Sequence, residues 1–424
     1  MRIAFITSEF AGLPGSGGIG TYYLQAAQCL VDAGHEIEVF TSGTPGQLSS
    51  RKGILFHQLG SGAPPAFSVH AAETLAARHR ESAFDLLESA ELKAEGLPAA
   101  RAVPDIAHVI RIHSPSVVLN RYLDLPPTRG QRLTGVLRQA RIALGAWRRG
   151  LPIPPIHFDL RPPLWFPSQE HEERNAAASA DLVIVMNDEM HRLVRDYWWI
   201  RDEAIRNVPN PFRSTSTFAL PGQGKKQSYT LGFAGRLEPR KGLLELAEAL
   251  KEILPRHPDW NVVIAGHAVP SCLSGADVEV MARARLQMFG DRVQFLGRLS
   301  PERMEGFLAE LDLYVFPSLW DNFPYAVLEA MAAGKAIVGT RTGAVADMLD
   351  EGKAGLLVEP GQVRQLAHAL DTLMGDPRRR KGLGEAARQR LHSKYSEEAV
   401  TPAILEVYQA ALERRDRRIA ARHG

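Results

Sequence analysis

The strongest constraint on this chain is an alternation of short apolar runs with helix-periodic stretches, repeated along its length. Residues 2–7 (RIAFIT) read as a buried strand and residues 21–33 as a helix that Gly34 ends; residues 36–41 (EIEVFT) read as the next strand. DLLES (85–89), HVIRIHS (108–114) and DLVIVM (181–186) continue the pattern. The second half alternates more regularly, with YTLGFAG, NVVIAG, VQFLG, LYVFPS, AIVGT and GLLVEP as strands and helices between them. Leu243, Leu246, Leu250 and Leu254 share one face of such a helix, and Ser300-Pro301 opens another as N-cap and first-turn proline. Apolar strands that each lead into a helix dictate parallel sheets covered on both faces.

A chain of 424 residues has room for two or three such units. The polar, turn-rich stretch FRSTSTFALPGQGKKQS (212–228) is the natural join. The reading is α/β: two doubly wound Rossmann-like domains, one either side of that join, with parallel sheets facing across a cleft. Ligands of such folds collect at the carboxyl ends of the strands. The remaining composition excludes several classes. A net charge of +2 gives no footprint for nucleic acid. Two distant cysteines, Cys29 and Cys272, build neither a disulfide framework nor a zinc site. Glu9 interrupts the opening run before a signal-peptide core is complete, and no apolar stretch reaches membrane-spanning length. A cytoplasmic protein is expected, touching a membrane at most from its surface.

Gly15-Ser-Gly17-Gly18-Ile-Gly20 matches G-x-G-x-x-G, the dinucleotide fingerprint. Two details oppose that reading. Seven residues separate Thr7 from Gly15, whereas a dinucleotide loop leaves its strand almost directly. The second strand ends Val39-Phe40-Thr41-Ser42, with no acid for a ribose. The glycines still suit another anion, since backbone N–H groups before a helix attract one. An ordinary surface loop is the other reading.

Three further groups carry chemistry. GFAGRLEPRKG sets Arg236 and Lys241 between a strand and a helix, where two cations suit a diphosphate or form a solvated charge run. PSLWDNFPYAVLEAMAAG sets Asp321 in a loop and Glu329 among apolar helix residues. A carboxylate there needs a partner, and as an acceptor it can take both hydroxyls of a ribose. His113 ends an apolar strand, as a catalytic or a satisfied core histidine. No D-x-D follows an apolar strand; Glu310 and Asp312 precede one, on the wrong side for a metal.

GRLEPRKG, VQFLGRLSPERM, LYVFPSLWDNFPYAVLEAMAAGKAIVGT and TGAVADMLDEGKAGLLVEPGQVRQLAHAL, in this order, resemble the donor half of family-4 retaining glycosyltransferases of the GT-B fold. The glycine loop, VIRIHSPS and VPNPF fit the same family more loosely, and EEAVTPAILEVYQAAL resembles its helix that crosses back onto the first domain. The resemblance implies an acceptor-side domain over 1–212, with a crossing helix at 396–424, and a donor domain over 213–395. It implies a retaining, metal-independent hexosyl transfer that uses a nucleotide-diphosphate sugar and no cofactor, in glycan, glycolipid or polysaccharide synthesis. Arg236 and Lys241 would neutralise the diphosphate, Glu329 would hold the ribose, and Asp321 would bond sugar hydroxyls. His113 would lie beside the anomeric centre. Gly17 and Gly18 would approach the diphosphate, with further donor contacts at Arg298, Asn322, Phe323, Pro324 and Tyr325. Four positions depart from the family pattern: Asp321 is shorter than the usual Glu, Pro324 lacks an N–H, Ala344 replaces a glycine and Asp347 replaces a Glu.

Two readings from other classes remain: a sugar-nucleotide epimerase or hydrolase on the same scaffold, and a nucleotide-sugar-binding module without turnover. On the acceptor side, residues 131–149 read as a basic amphipathic helix, either packed in the domain or lying on an anionic membrane near a lipid-linked acceptor. PIPPIHFDLRPPLWFP (152–167) is too proline-rich for a regular helix and suits a lip of the acceptor cleft, and the basic tail LERRDRRIAARHG reads as a fraying end.

Overall fold

In the computed structural model the apolar runs pair as two separate sheets. The structure describes residues 1–11, 17–44, 47–60, 66–123, 144, 148, 167–213, 228–269, 275 and 277–423. The first sheet holds β1 (Arg2–Ile6), β2 (Glu36–Thr41), β3 (Gln47–Arg51), β4 (Ile54–Gln58), β5 (Leu86–Ala90), β6 (Ala107–Arg111), β7 (Leu182–Val185) and β8 (Ile205–Asn207). Its order is β3-β4-β2-β1-β5-β6-β7-β8, so the direction of winding reverses between β1 and β5. Every pair is parallel except β3–β4. That hairpin turns on Lys52 and Gly53, both at positive φ (51° and 78°), as a tight two-residue hairpin requires.

The second sheet holds β9 (Tyr229–Ala234), β10 (Trp260–Ala265), β11 (Val293–Gly297), β12 (Leu313–Phe316), β13 (Ala336–Thr340) and β14 (Leu356–Val358). All its pairs are parallel, in the order β11-β10-β9-β12-β13-β14, with the reversal between β9 and β12. Leu243, Leu246, Leu250 and Leu254 are all buried, on the face that the leucine spacing marks. Ser300 does stand at an N-cap, although its side chain makes no capping bond.

The C-terminal helix, Glu397–His423, returns to the first sheet and packs on β6 and β7. Its Tyr408 hydroxyl donates to Glu88 Oε2 (2.6 Å), deep beneath β5. The same carboxylate accepts from Tyr22 (2.6 Å) and pairs with the fully buried Arg111. The basic tail does not fray, contrary to the sequence reading. Arg418 bonds the Asp181 carboxylate (2.9 Å) and the Pro104 and Ile106 carbonyls, while Arg414 reaches the Asp181 and Glu203 carbonyls. Those arginines satisfy four main-chain carbonyls of the first domain, and that fixes the helix. Among the described residues no helix is long and apolar enough to cross a membrane.

Tyr408→Phe removes one of three donors to a buried carboxylate, a loss of about 1–3 kcal/mol. Its urea midpoint should fall accordingly. An unchanged midpoint would mean that the helix is not anchored through Glu88.

Candidate functional site

The loop after β9 and the loop after β12 meet because Gly242 lets them. It sits at φ +69°, and a Cβ there would lie 2.0 Å from the Pro317 carbonyl oxygen. This contact brings Arg240 and Lys241 onto Asp321. Lys241 Nζ and Arg240 Nη1 both bond Asp321 Oδ2, the latter at 3.2 Å. Glu238 takes the other side of Arg240 (2.6 Å) and faces Arg236 at 3.4 Å. Three cations therefore face two carboxylates, leaving one net positive charge at the carboxyl ends of β9 and β12. Burial raises the Asp321 carboxyl, but Lys241 and Arg240 overcome that and hold it at about 2. Burial and the neighbouring Arg240 lower Lys241. Arg236 differs from both: its side chain is 48% exposed.

Asp321 is positioned from behind by β13 and the turn that follows. Its N–H donates to Thr342 Oγ1 (3.3 Å), and Ala344 N donates to the Asn322 carbonyl (2.8 Å). Gly343 sits at φ +50°, where a Cβ would fall 2.0 Å from the Asp321 carbonyl. Glycine is needed at 343 and not at 344, which explains why alanine is tolerated there. Asp347 bonds Lys394 and Tyr395 and ties the next helices to this turn.

Pro324 opens the Tyr325–Ala332 helix without any side-chain cap, so first-turn N–H groups are left for another acceptor. Glu329 lies on this helix between buried neighbours, and burial alone pushes its carboxyl up to about 7. No hydrogen bond to its side chain occurs among the described residues.

In the first domain His113 follows β6, its ring packed against Tyr22 and Tyr23 (centroids 5.1 and 6.0 Å). Burial and the charge of Arg111 push it well below the usual histidine range, so the ring is neutral. Its Nε2 is buried without a hydrogen-bond partner among the described residues. Glu91 accepts the His113 N–H (2.8 Å) and the Ser114 N–H (2.6 Å). Burial and the neighbouring Glu173 raise Glu91 to about 8. Gly17 precedes the Gly18–Asp32 helix, and its N–H donates to Glu9 (3.1 Å), while open space surrounds Gly18.

The two halves meet at these loops. The Asn322 side chain, expected among the donor contacts, is instead consumed between the domains. Its Nδ2 donates to the carbonyls of Ile112 (3.1 Å) and His113 (2.7 Å), and its Oδ1 accepts from Asn187 (2.6 Å). Tyr325 likewise spends its hydroxyl on the Pro211 carbonyl (3.2 Å), and the Phe323 ring packs on Tyr325 and Tyr395. Glu189 bonds both Trp320 Nε1 (3.1 Å) and Gly343 N (3.2 Å). Arg298 is not brought to the cluster: it is exposed after β11, two strands from β9. The 131–149 helix, except for residues 144 and 148, and the proline-rich lip up to residue 166 lie outside the described residues, as does Gly15.

Glu91, Asn187, Glu189 and Arg240 escaped sequence reasoning. Arg240 stood inside the quoted motif, and Asn187 was legible as an N-cap, which it is (it accepts from Met190 N at 3.0 Å).

The raised carboxyl of Glu329 has a consequence for stability. The native state keeps a proton that the unfolded chain releases, so this group's contribution falls as pH rises from about 4.5 to about 7. Glu329→Gln should therefore have a higher urea midpoint than wild type at pH 8, the gap shrinking toward pH 5. A gap of the same size at both pH values would mean that Glu329 titrates normally.

Comparison with known proteins bears on this arrangement. Residues 16–214 match the family model for Glycosyltransferase Family 4, and residues 219–390 match that for Glycosyl transferases group 1. D-inositol 3-phosphate glycosyltransferase of Corynebacterium jeikeium is 31% identical over 256 residues; the match covers 56% of this chain and 59% of that relative. Among solved structures, sucrose-phosphate synthase from Thermosynechococcus elongatus superposes with a TM-score of 0.74 at 20% identity, covering 96% of this chain and 98% of the other. HepE from Anabaena, in complex with UDP and glucose, gives 0.66 at 17% identity, covering 96% and 99%. The fold is GT-B, and the chain belongs to the glycosyltransferases that these two family models describe in succession.

Proposed function

We propose that this chain transfers a glycosyl group from a nucleoside-diphosphate sugar to an acceptor hydroxyl, with retention of anomeric configuration and without a metal ion. The observation that carries the reading is the buried Arg240–Lys241–Asp321 cluster beside an uncapped helix start, linked through Asn322 to His113. HepE, of the same fold, holds UDP and glucose.

Transfer breaks the bond between the anomeric carbon and a diphosphate oxygen. Positive charge grows on the sugar and negative charge on the leaving group, so stabilising that diphosphate is the main electrostatic task. Arg236, the half-exposed cation of the cluster, meets the diphosphate directly, and Lys241 lies behind it. Asp321 keeps Lys241 charged despite burial and holds it in place. The first-turn N–H groups of the Tyr325–Ala332 helix add partial positive charge. Glu329 accepts the ribose hydroxyls. The acceptor hydroxyl attacks from the face the diphosphate leaves, and its proton passes to the departing oxygen, so no enzyme nucleophile is needed. Neutral His113 lies beside the anomeric carbon, its buried Nε2 keeping a hydrogen-bonding capacity unused among the described residues. Gly18, with open space around it, leaves room for the donor from the first domain.

A nucleoside diphosphate at about 100 times its dissociation constant adds about 2.7 kcal/mol of stability. Wild type should melt higher with one of UDP, GDP or ADP, and Arg236→Ala should lose most of that shift while its ligand-free melt stays close to wild type. An equatorial-to-axial change at the product's anomeric proton, read by NMR, would contradict retention. A shift with NAD alone would return the glycine loop to dinucleotide binding and end this reading.

A further inference from the structure

His113 is held by its backbone from two sides. From within its own domain, Glu91 accepts the N–H groups of His113 and Ser114, at 2.8 and 2.6 Å. From the other domain, Asn322 Nδ2 donates to the His113 carbonyl at 2.7 Å and to the Ile112 carbonyl at 3.1 Å. Glu91 is bound to its sheet whatever the second domain does. The Asn322 contact exists only while the domains are together.

The Glu91 side is built rigidly. It lies in the loop after β5, at the reversal point of the first sheet, where Lys93 and Ala94 both adopt positive φ (56° and 51°). Consecutive left-handed residues with side chains are costly, and such strain persists where the surroundings over-determine it. Here Ala94 N bonds the Glu91 carbonyl (2.8 Å), and Glu95 takes the N–H and hydroxyl of Ser8.

The Asn322 side is equally specific. Asn187 donates to Asn322 Oδ1 (2.6 Å), which fixes the amide orientation so that its N–H pair must face the two carbonyls. Asn322 is also covalently next to Asp321, the counter-ion of Lys241. A shift of the donor loop is therefore a shift of Asn322.

We propose that Asn322 is a positioning residue: it sets His113 against the donor cluster when the domains close, so that the acceptor-side histidine and the donor-side cations reach working geometry together. The proposal rests on the transferase reading of this site. Misplacement of a reacting group by about 1 Å can cost about 100-fold in rate. Removing Asn322 should thus act on turnover and not on nucleotide binding, because its side chain is directed away from Lys241 and toward the first domain.

The test uses the full chain with UDP-glucose and GDP-mannose as donors and water as the glycosyl acceptor, following the slow donor hydrolysis as release of the nucleoside diphosphate and free sugar. Asn322→Ala and Asn322→Asp should lower kcat about 10- to 100-fold with the donor KM within about twofold. Asn187→Ala should give a smaller loss in the same direction. In a His113→Ala background, Asn322→Ala should add less than twofold, because both act through one ring. A full additional loss in that background, or an unchanged kcat in Asn322→Ala, overturns the proposal. A second readout needs no turnover. Hydrogen exchange over residues 112–118 should speed up in Asn322→Ala and Asn322→Asp, while residues 86–90 stay protected. If wild type consumes neither donor, the transferase reading fails for those donors, and unchanged exchange over 112–118 would overturn the clamp separately.

Discussion

A carboxylate buried at the base of a cleft has to be matched by cations, and Asp321 is matched by two. The rest of the site depends on that match. Lys241 and Arg240 reach Asp321 because Gly242 allows the loop after β9 to press on Pro317, and Asp321 is presented because Gly343 allows the turn after β13 to press on it from behind. Two glycines at positive φ thus close two strand-end loops around one charge. The match is incomplete by design of the sequence: with Arg236 and Glu238 included, the cluster keeps one net positive charge. An anion that arrives there meets half-exposed Arg236 backed by two buried, oriented cations, and charge held in place before the anion arrives stabilises it without reorganisation.

The same loops make the contact between the domains. The carboxyl ends of β6 and β7 meet those of β12 and β13 through Asn322, Asn187 and Glu189, all satisfied by polar partners at 2.6–3.2 Å. Apolar surface supports this seam farther back, where Phe212, Phe323, Tyr325 and Tyr395 belong to one continuous cluster with the first-sheet core. The C-terminal helix completes the connection. It leaves the second domain at Tyr395, whose carbonyl accepts from Phe212 N (2.7 Å), and ends clamped to Asp181.

Much of the fold was legible because its determinants are local. Apolar strand runs, the Leu243–Leu254 stripe and the loops between them follow from periodicity, and a parallel order follows from strand–helix alternation. The β3–β4 hairpin escaped because QLSSR carries almost no apolar signal; only the Lys52-Gly53 turn marks it. The ordered basic tail escaped because its arginines are fixed by carbonyls more than 200 residues away. At the site, charge and spacing singled out Arg236, Lys241, Asp321 and Glu329, since such residues announce themselves between a strand and a helix. Asn187 and Glu189 did not, and Asn322 was expected as a donor contact and not as a bridge between the domains, because a neutral amide or a helix Glu acquires its meaning only from the partner that the fold supplies.

If the proposed transfer is right, the loops after β9, β12 and β6 share one nucleotide-sugar site. A crystal structure of the protein grown with UDP-glucose or GDP-mannose tests it directly. The diphosphate should lie within hydrogen-bond reach of Arg236 and the start of the Tyr325–Ala332 helix, the ribose on Glu329 and the sugar beside His113. A nucleotide seated instead against the first-domain glycine loop, with its pyrophosphate on the Gly18–Asp32 helix and nothing at Glu329, would contradict it.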